Sequence, residues 1–216
     1  TSIESGYQLQ LGEQTLECKL LIGADGANSM VRTVANIGVT AWDYQQHAML
    51  ISITTEDSQQ DITWQKFYPS GPRALLPLKG NNASLVWYDS PQRIKALSNM
   101  PLSQLKQEVI NNFPDRLGEF DINNIGSFPL TRRHAQQYIK TNLCLVGDAA
   151  HTINPLAGQG VNLGLKDIGC LADVICHAND KQEAWWDKEI LIRYEKKRRN
   201  DSLLMQSAMD VFYLTF

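Results

Sequence analysis

Leu143-Cys144-Leu145-Val146 runs directly into Gly147-Asp148-Ala149-Ala150-His151, and beyond Asn154 and Pro155 the chain reads Gly158-Gln159-Gly160-Val161-Asn162-Leu163-Gly164. Four apolar residues in a row mark a strand buried on both faces, and Val161, Leu165, Ile168, Ala172 and Ile175 then recur at helical spacing. The stretch predicts a strand, a loop and a helix. The first N–H groups of a helix have no partner within it, and together with the helix dipole they favour a negatively charged group. Glycines admit a cofactor to the backbone, and Asp148, at a strand's carboxyl end, is placed to accept hydrogen bonds from sugar hydroxyls. The pattern is not G-x-G-x-x-G, because the third glycine, Gly164, falls one residue late. A helix start with glycines for tight packing and a phosphate-and-sugar site therefore both stand on these residues alone, and His151 by itself reads as structural.

Towards the amino terminus a second such unit precedes it. Tyr7 to Leu11 and Thr15 to Ile22 are strand-like around Gly12-Glu13, and Gly23-Ala24-Asp25-Gly26-Ala27-Asn28-Ser29 leads into a short helix from Met30 to Ala35. Asp25-Gly26 is a turn dipeptide, Asn28 or Ser29 a helix cap, and Arg32 either neutralises a phosphate or pairs on the surface. Two glycine-bearing loops at strand ends favour a bipartite cofactor site over either loop alone.

Between them the period changes to two. Met49 to Thr54, Thr63 to Tyr68, Ala74 to Leu78 and Ala83 to Tyr88 are short strands separated by turn residues, which predicts an antiparallel sheet. One amphipathic helix follows, carrying Leu102, Leu105, Val109 and Phe113. The last helical stretch spans 182–216 and holds the basic run Lys196, Lys197, Arg198 and Arg199, read as a solvated face in preference to a contact with anionic lipid. Trp64, Phe67, Trp87 and Tyr88 are the aromatic candidates to face a substrate, although aromatic strand residues belong more often to a core.

Bulk properties narrow the functional classes. The 216 residues carry a net charge of −3 and 43% hydrophobic residues, with no basic excess to attract nucleic acid. No apolar run approaches the roughly 20 residues needed to span a bilayer, so a cytoplasmic location with at most peripheral membrane contact is expected. Cys18, Cys144, Cys170 and Cys176 form no C-x-x-C pair, and no metal is expected. Hydrolase and phosphoryl-transfer motifs, G-x-S-x-G and G-x-x-x-x-G-K-[ST], are absent.

The loop at Gly23 to Ser29 with Arg32 resembles the DG motif of the aromatic-hydroxylase class of FAD-dependent monooxygenases. The loop from Gly147 through His151, Pro155, Gly158, Gln159 and Gly160 resembles their GD motif, in the same order and spacing. Ala41-Trp42, Gly71-Pro72-Arg73-Ala74, Ser84 to Pro91, Phe128 to His134 and Met209 to Tyr213 are similar to the ubiquinone-biosynthesis branch of that class. The resemblance implies FAD as cofactor, NAD(P)H as reducing co-substrate, oxygen, and hydroxylation of a polyprenyl benzoquinol, with other ubiquinone-biosynthesis proteins as possible partners.

It also implies an amino-terminal βαβ unit with its own G-x-G-x-x-G loop, which these residues lack. The chain, which opens without a methionine in a strand-like segment, is expected to be part of a longer one and inactive by itself. The expected fold is α/β: a partial FAD-binding Rossmann-like domain with an inserted, mostly antiparallel β-sheet substrate domain and a C-terminal helix. Residues 1–40 and 131–180 are assigned to the FAD-binding domain, 41–130 to the β-rich substrate domain and 181–216 to the C-terminal helical segment. Cofactor contacts are expected from Asp25, Gly26, Ser29, Arg32, Gly147, Asp148, Pro155, Gly158, Gln159, Gly160, Val161 and Asn162. Substrate contacts are expected from Trp64, Phe67, Trp87 and Tyr88, and no residue is assigned a catalytic role. The alternatives are a hydroxylase acting on another ring carbon, a flavoprotein reductase or halogenase, and a non-catalytic fragment or assembly module of the quinone pathway.

Overall fold

The computed structural model of the chain describes residues 1–56, 62–153 and 158–215, with side chains as far as Val211. The polypeptide forms two compact units, one from Thr1–Trp42 with Thr131–Thr215 and the other from Asp43–Leu130.

The first unit opens with three short antiparallel strands, β1 (Ser2–Ile3), β2 (Gly6–Leu11) and β3 (Gln14–Cys18). Leu11 pairs with Gln14, so the β2–β3 hairpin closes through two residues, and Gly12 takes the left-handed φ of +61° that such a tight turn demands. The apolar run foreseen as a continuation of this hairpin is a separate strand, β4 (Leu21–Gly23), which ends in the loop before α1 (Met30–Val34).

Strand β5 (Val39–Thr55) then carries the chain into the second unit, where β6 (Trp64–Lys66), β7 (Arg73–Pro77) and β8 (Asn82–Asp89) follow. Two helices come next, α2 (Pro91–Ser98) and α3 (Leu102–Asn112), before β9 (Phe120–Ala135) leads back to the first unit. Neighbouring strands run in the order β9, β5, β8, β7, β6, and the pairs β5–β8, β8–β7 and β7–β6 are antiparallel, as the period-two pattern predicts.

Successive side chains alternate across this sheet. Met49, Ile51, Ile53, Leu75, Leu85 and Trp87 share one face and pack against Ile94, Leu97, Leu105, Val109 and Phe113 of the two helices. Each fully buried Leu or Ile there contributes about 2 kcal/mol by removal from water. The sequence reading missed α2, although Ser90 caps it by accepting the Arg93 N–H and Pro91 occupies its first turn.

Back in the first unit, β10 (Ile139–Lys140) and β11 (Leu143–Leu145) pair antiparallel, and β11 pairs parallel with β4. A 3-10 turn at Gly147–Ala149 and the two-residue β12 (His151–Thr152) follow, then α4 (Gly160–Asp180) and α5 (Lys188–Thr215). Ala135, Tyr138, Leu143, Leu145, Leu171, Leu191 and Tyr194 belong to the core of this unit.

Two expectations about these helices are corrected. Of the expected stripe of α4, Val161, Leu165 and Ile168 are exposed, at 76%, 60% and 54%, as is Ala172, and Ile175 packs against the core, while Leu163, Asp167, Cys170, Leu171 and Ala178 face inward. On that inward face the Asp167 carboxylate meets its hydrogen-bond partners Gly147, His151 and Arg198. The basic run of α5 is not one solvated face either, because Arg198 is buried against Asp167 at 2.8 Å. Among the described residues no helix is long and apolar enough to cross a membrane, and no group of His, Cys, Asp or Glu is arranged to hold a metal.

Candidate functional site

Parallel pairing of β4 with β11 places Leu21 opposite Leu143, Ile22 opposite Cys144 and Gly23 opposite Leu145. Both strands run the same way, so both glycine-bearing loops leave the sheet side by side at its carboxyl edge, where α/β sheets bind ligands. Gly23 is required for this close packing: a Cβ there would lie 2.7 Å from the Leu145 side chain and 2.9 Å from Val31.

The first loop is built around Asp25. Its carboxylate accepts hydrogen bonds from the Ser29 hydroxyl and from the Val31 N–H (3.0 Å), while Ser29 caps α1 by accepting the Arg32 N–H at 2.9 Å. Partial burial works against the charge, but the hydrogen bonds from Ser29 and Val31 outweigh it and hold the Asp25 carboxyl below the usual carboxylate range. Asp25 and Ser29 thus shape the loop from within. Gly26, at φ +82°, turns it with open space where a side chain would stand.

Arg32 is buried rather than paired on the surface. Its guanidinium donates to Ala149 O and to Ala27 O, both at 2.8 Å, which ties the first loop to the second. Arg133, absent from the sequence assignment, reaches the same loop and donates to Ala27 O (3.0 Å) and Asn28 Oδ1 (2.8 Å).

The second loop begins at Gly147, which has φ +58° and lies so close to α4 that a Cβ on Gly164 would sit 3.3 Å from its Cα. The late third glycine therefore serves the approach of helix to loop. Asp148 is exposed in the 3-10 turn that follows β11. Among the described residues, Gln159 at the N-cap position makes no side-chain capping bond, and no acidic residue lies in the first turn of α4. Gly158 and Gly160 have open space where a Cβ would stand, and Val161 and Asn162 are exposed beside them. The start of a 21-residue helix, with glycines at 158 and 160 that leave space beside the backbone, suits a negatively charged group such as the phosphates of a flavin dinucleotide. Pro155 and Asn154 lie outside the described residues.

Beneath the second loop is a buried polar network that sequence reasoning missed. Asp167 accepts from Gly147 N–H (3.0 Å), engages His151 Nε2 (2.6 Å) and pairs with Arg198 Nε (2.8 Å). His134, on the strand paired with β12, contacts Tyr138 OH through Nδ1 at 3.4 Å. Burial, reinforced by the nearby Arg199, His151 and Arg132, pushes the His134 imidazole down to about 4. The available signal for Asp167 was its helical spacing with Leu163 and Leu171, which puts an acid in line with two leucines.

The aromatic candidates separate. Trp87 is fully buried among the helices of the second unit, edge-on to Phe113 at 5.4 Å, which makes it a core residue and removes it from the substrate-contacting set. Trp64 shares that face and meets Phe113 at 6.2 Å. Tyr88 lies on the opposite face of β8, and its burial raises the phenol above its ordinary value, so it stays a neutral hydroxyl. Leu50, Leu76 and half-buried Val86 share that second face, and Phe67 is 40% exposed.

Comparison with known proteins places this geometry. The FAD binding domain family model matches residues 5–205, and the chain belongs to that family. FAD is accordingly the cofactor of the domain. The chain is 56% identical over 205 residues to the 3-demethoxyubiquinol 3-hydroxylase of Escherichia coli (strain K12), covering 95% of this chain and 52% of that protein. It is 34% identical to the mitochondrial ubiquinone biosynthesis monooxygenase COQ6 of Xenopus tropicalis, covering 92% of this chain and 50% of that protein. The chain thus spans about half the length of these relatives. Among solved structures, a probable FAD-dependent monooxygenase of Pseudomonas aeruginosa, pqsL, matches with a TM-score of 0.76 at 21% identity, covering 93% of this chain and 57% of that one. Aklavinone-11 hydroxylase in complex with FAD and aklavinone also matches at 0.76, with 18% identity and coverage of 89% and 37%. These two likenesses show the fold.

Proposed function

We propose that the chain is part of an FAD-dependent monooxygenase that hydroxylates the benzoquinol ring of a polyprenylated ubiquinone precursor, using NAD(P)H and oxygen. The observation that carries this is the side-by-side exit of two linked loops from parallel strands, with Arg32 joining them and the glycine-flanked start of α4 beyond the second. The 56% identity to a demethoxyubiquinol hydroxylase supports the ring chemistry and the attacked position.

When bound, FAD supplies the redox chemistry of oxygen activation. The residues of this chain bind and orient it. Asp148 takes the sugar hydroxyls, the N–H groups at Gly160 to Asn162 take negative charge, and Gly26, Gly147 and Gly158 keep side chains out of the way. In the second unit, the sheet face bearing Tyr88, Leu50, Leu76 and Val86 is assigned to the quinol and its apolar tail, in place of the face bearing Trp87. A cytoplasmic location with at most peripheral membrane contact, and contact with other ubiquinone-biosynthesis proteins, belong to the same proposal.

The test is to purify the whole protein that carries this chain and record its visible spectrum, then supply NAD(P)H, oxygen and a demethoxyquinol. A yellow protein that releases the hydroxylated quinol bears the proposal out. Flavin without hydroxylation redirects the reading to a reductase or other flavoprotein, and failure to take up flavin overturns the assignment of both loops.

A further inference from the structure

Three donors from three different segments converge on one carboxylate that is completely buried: Gly147 N–H from the loop, His151 Nε2 from β12 and Arg198 Nε from α5 all meet Asp167 of α4. The ion pair with Arg198 is itself almost fully buried, at 0% and 4% side-chain exposure, and Arg198 is held in turn by Asp201 at 2.8 Å. An isolated charge in that interior is expensive, so the carboxylate is retained only with its partners in place. Two of those partners, Gly147 and His151, bracket Asp148 and the 3-10 turn, while Gly164, one turn before Asp167 on the same helix, provides the close approach to Gly147.

We propose that Asp167 and Arg198 are positioning residues for the cofactor loop. Asp167 clamps both ends of the segment 147–151 onto α4, and Arg198 supplies the charge that keeps the clamp ionised. The long helix α5 is thereby coupled to a loop with which it shares no sequence neighbourhood. This rests on the reading that the loop holds FAD.

The experiment uses the whole flavoprotein. The FAD dissociation constant and visible flavin spectrum are measured for the wild type and for Asp167→Asn, Arg198→Met and Arg198→Lys, with the unfolding midpoint of each apoprotein. Leu191→Ala, a core change in α5 at a residue that makes none of the network's hydrogen bonds, serves as the control for loss of stability. The expected result is FAD affinity lowered roughly tenfold or more in Asp167→Asn and Arg198→Met, with altered flavin bands, substantial recovery in Arg198→Lys, and near-normal affinity in Leu191→Ala despite its lower midpoint. If Asp167→Asn does not fold, the Arg198 pair carries the same comparison. Unchanged affinity and spectrum in both Asp167→Asn and Arg198→Met, or an equal loss in Leu191→Ala, overturns the proposal. A wild type that binds no flavin overturns the functional reading and this inference with it, whereas flavin on the wild type with indifferent variants overturns the inference alone.

Discussion

Arg32 shows how a single side chain joins stretches 117 positions apart, donating to Ala149 O while also bonding Ala27 O of its own loop. Replacing it with Met keeps the apolar bulk and leaves the Ala149 carbonyl without the Arg32 donor, while Ala27 O keeps its bond from Arg133. The expected cost is about 1–3 kcal/mol in urea unfolding, with little relief from Lys, whose single ammonium lacks the guanidinium's fork. His134 makes a second prediction. Its folded value of about 4 lies below the ordinary 6.5, so the unfolded chain binds the proton more readily. The contribution is fully present above pH 6.5 and is lost as pH falls from 6.5 towards 4, amounting to about 3 kcal/mol. Unfolding midpoints measured from pH 7.5 to 4 should fall less steeply in His134→Gln than in the wild type, and parallel curves would refute this. The type of residue was legible at both positions, but the distant partners were not: Ala149 lies 117 positions from Arg32, and the Arg199 and His151 charges beside His134 come from other elements.

At the scale of elements, the orientation of α4 is the clearest test. Hydropathy alone offers two apolar stripes, and the structure buries the one through Leu163, Asp167 and Leu171. In the 216-residue chain, Leu171→Ala should cost about 2–4 kcal/mol, whereas Leu165→Ala should stay within about 0.5 kcal/mol. Equal losses by chemical denaturation would show that the helix faces the other way. In the second unit, Leu97→Ala and Leu105→Ala should each cost a similar 2–5 kcal/mol, since both are fully buried under the sheet. The periodicity of α3 was plain in the sequence, whereas α2, eight residues long, was too short for its period to stand out from the strand before it. Its cap, Ser90 followed by Pro91, was the sign that was overlooked.

For the molecule as a whole, the two units and the two-loop construction lead to a prediction about parts. The 216-residue chain by itself should bind FAD far more weakly than the whole protein, because its relatives run to about twice its length. Equilibrium titration of both with FAD checks this, and equal affinities would place the entire dinucleotide site within these residues. The strand and loop segments at Gly23 and Gly147, the antiparallel insert and the terminal helices could all be read from local signals: apolar runs, turn residues, caps and period. Their side-by-side placement could not, because it depends on a parallel pairing across roughly 120 residues, and neither could the burial of Arg198 within a run of four basic residues. Local chemistry by itself determined what each segment is. Which face of α4 turns inward, which aromatic rings become core and which charges are buried together were decided only by tertiary packing, since a buried charge finds its partner through space and not along the chain.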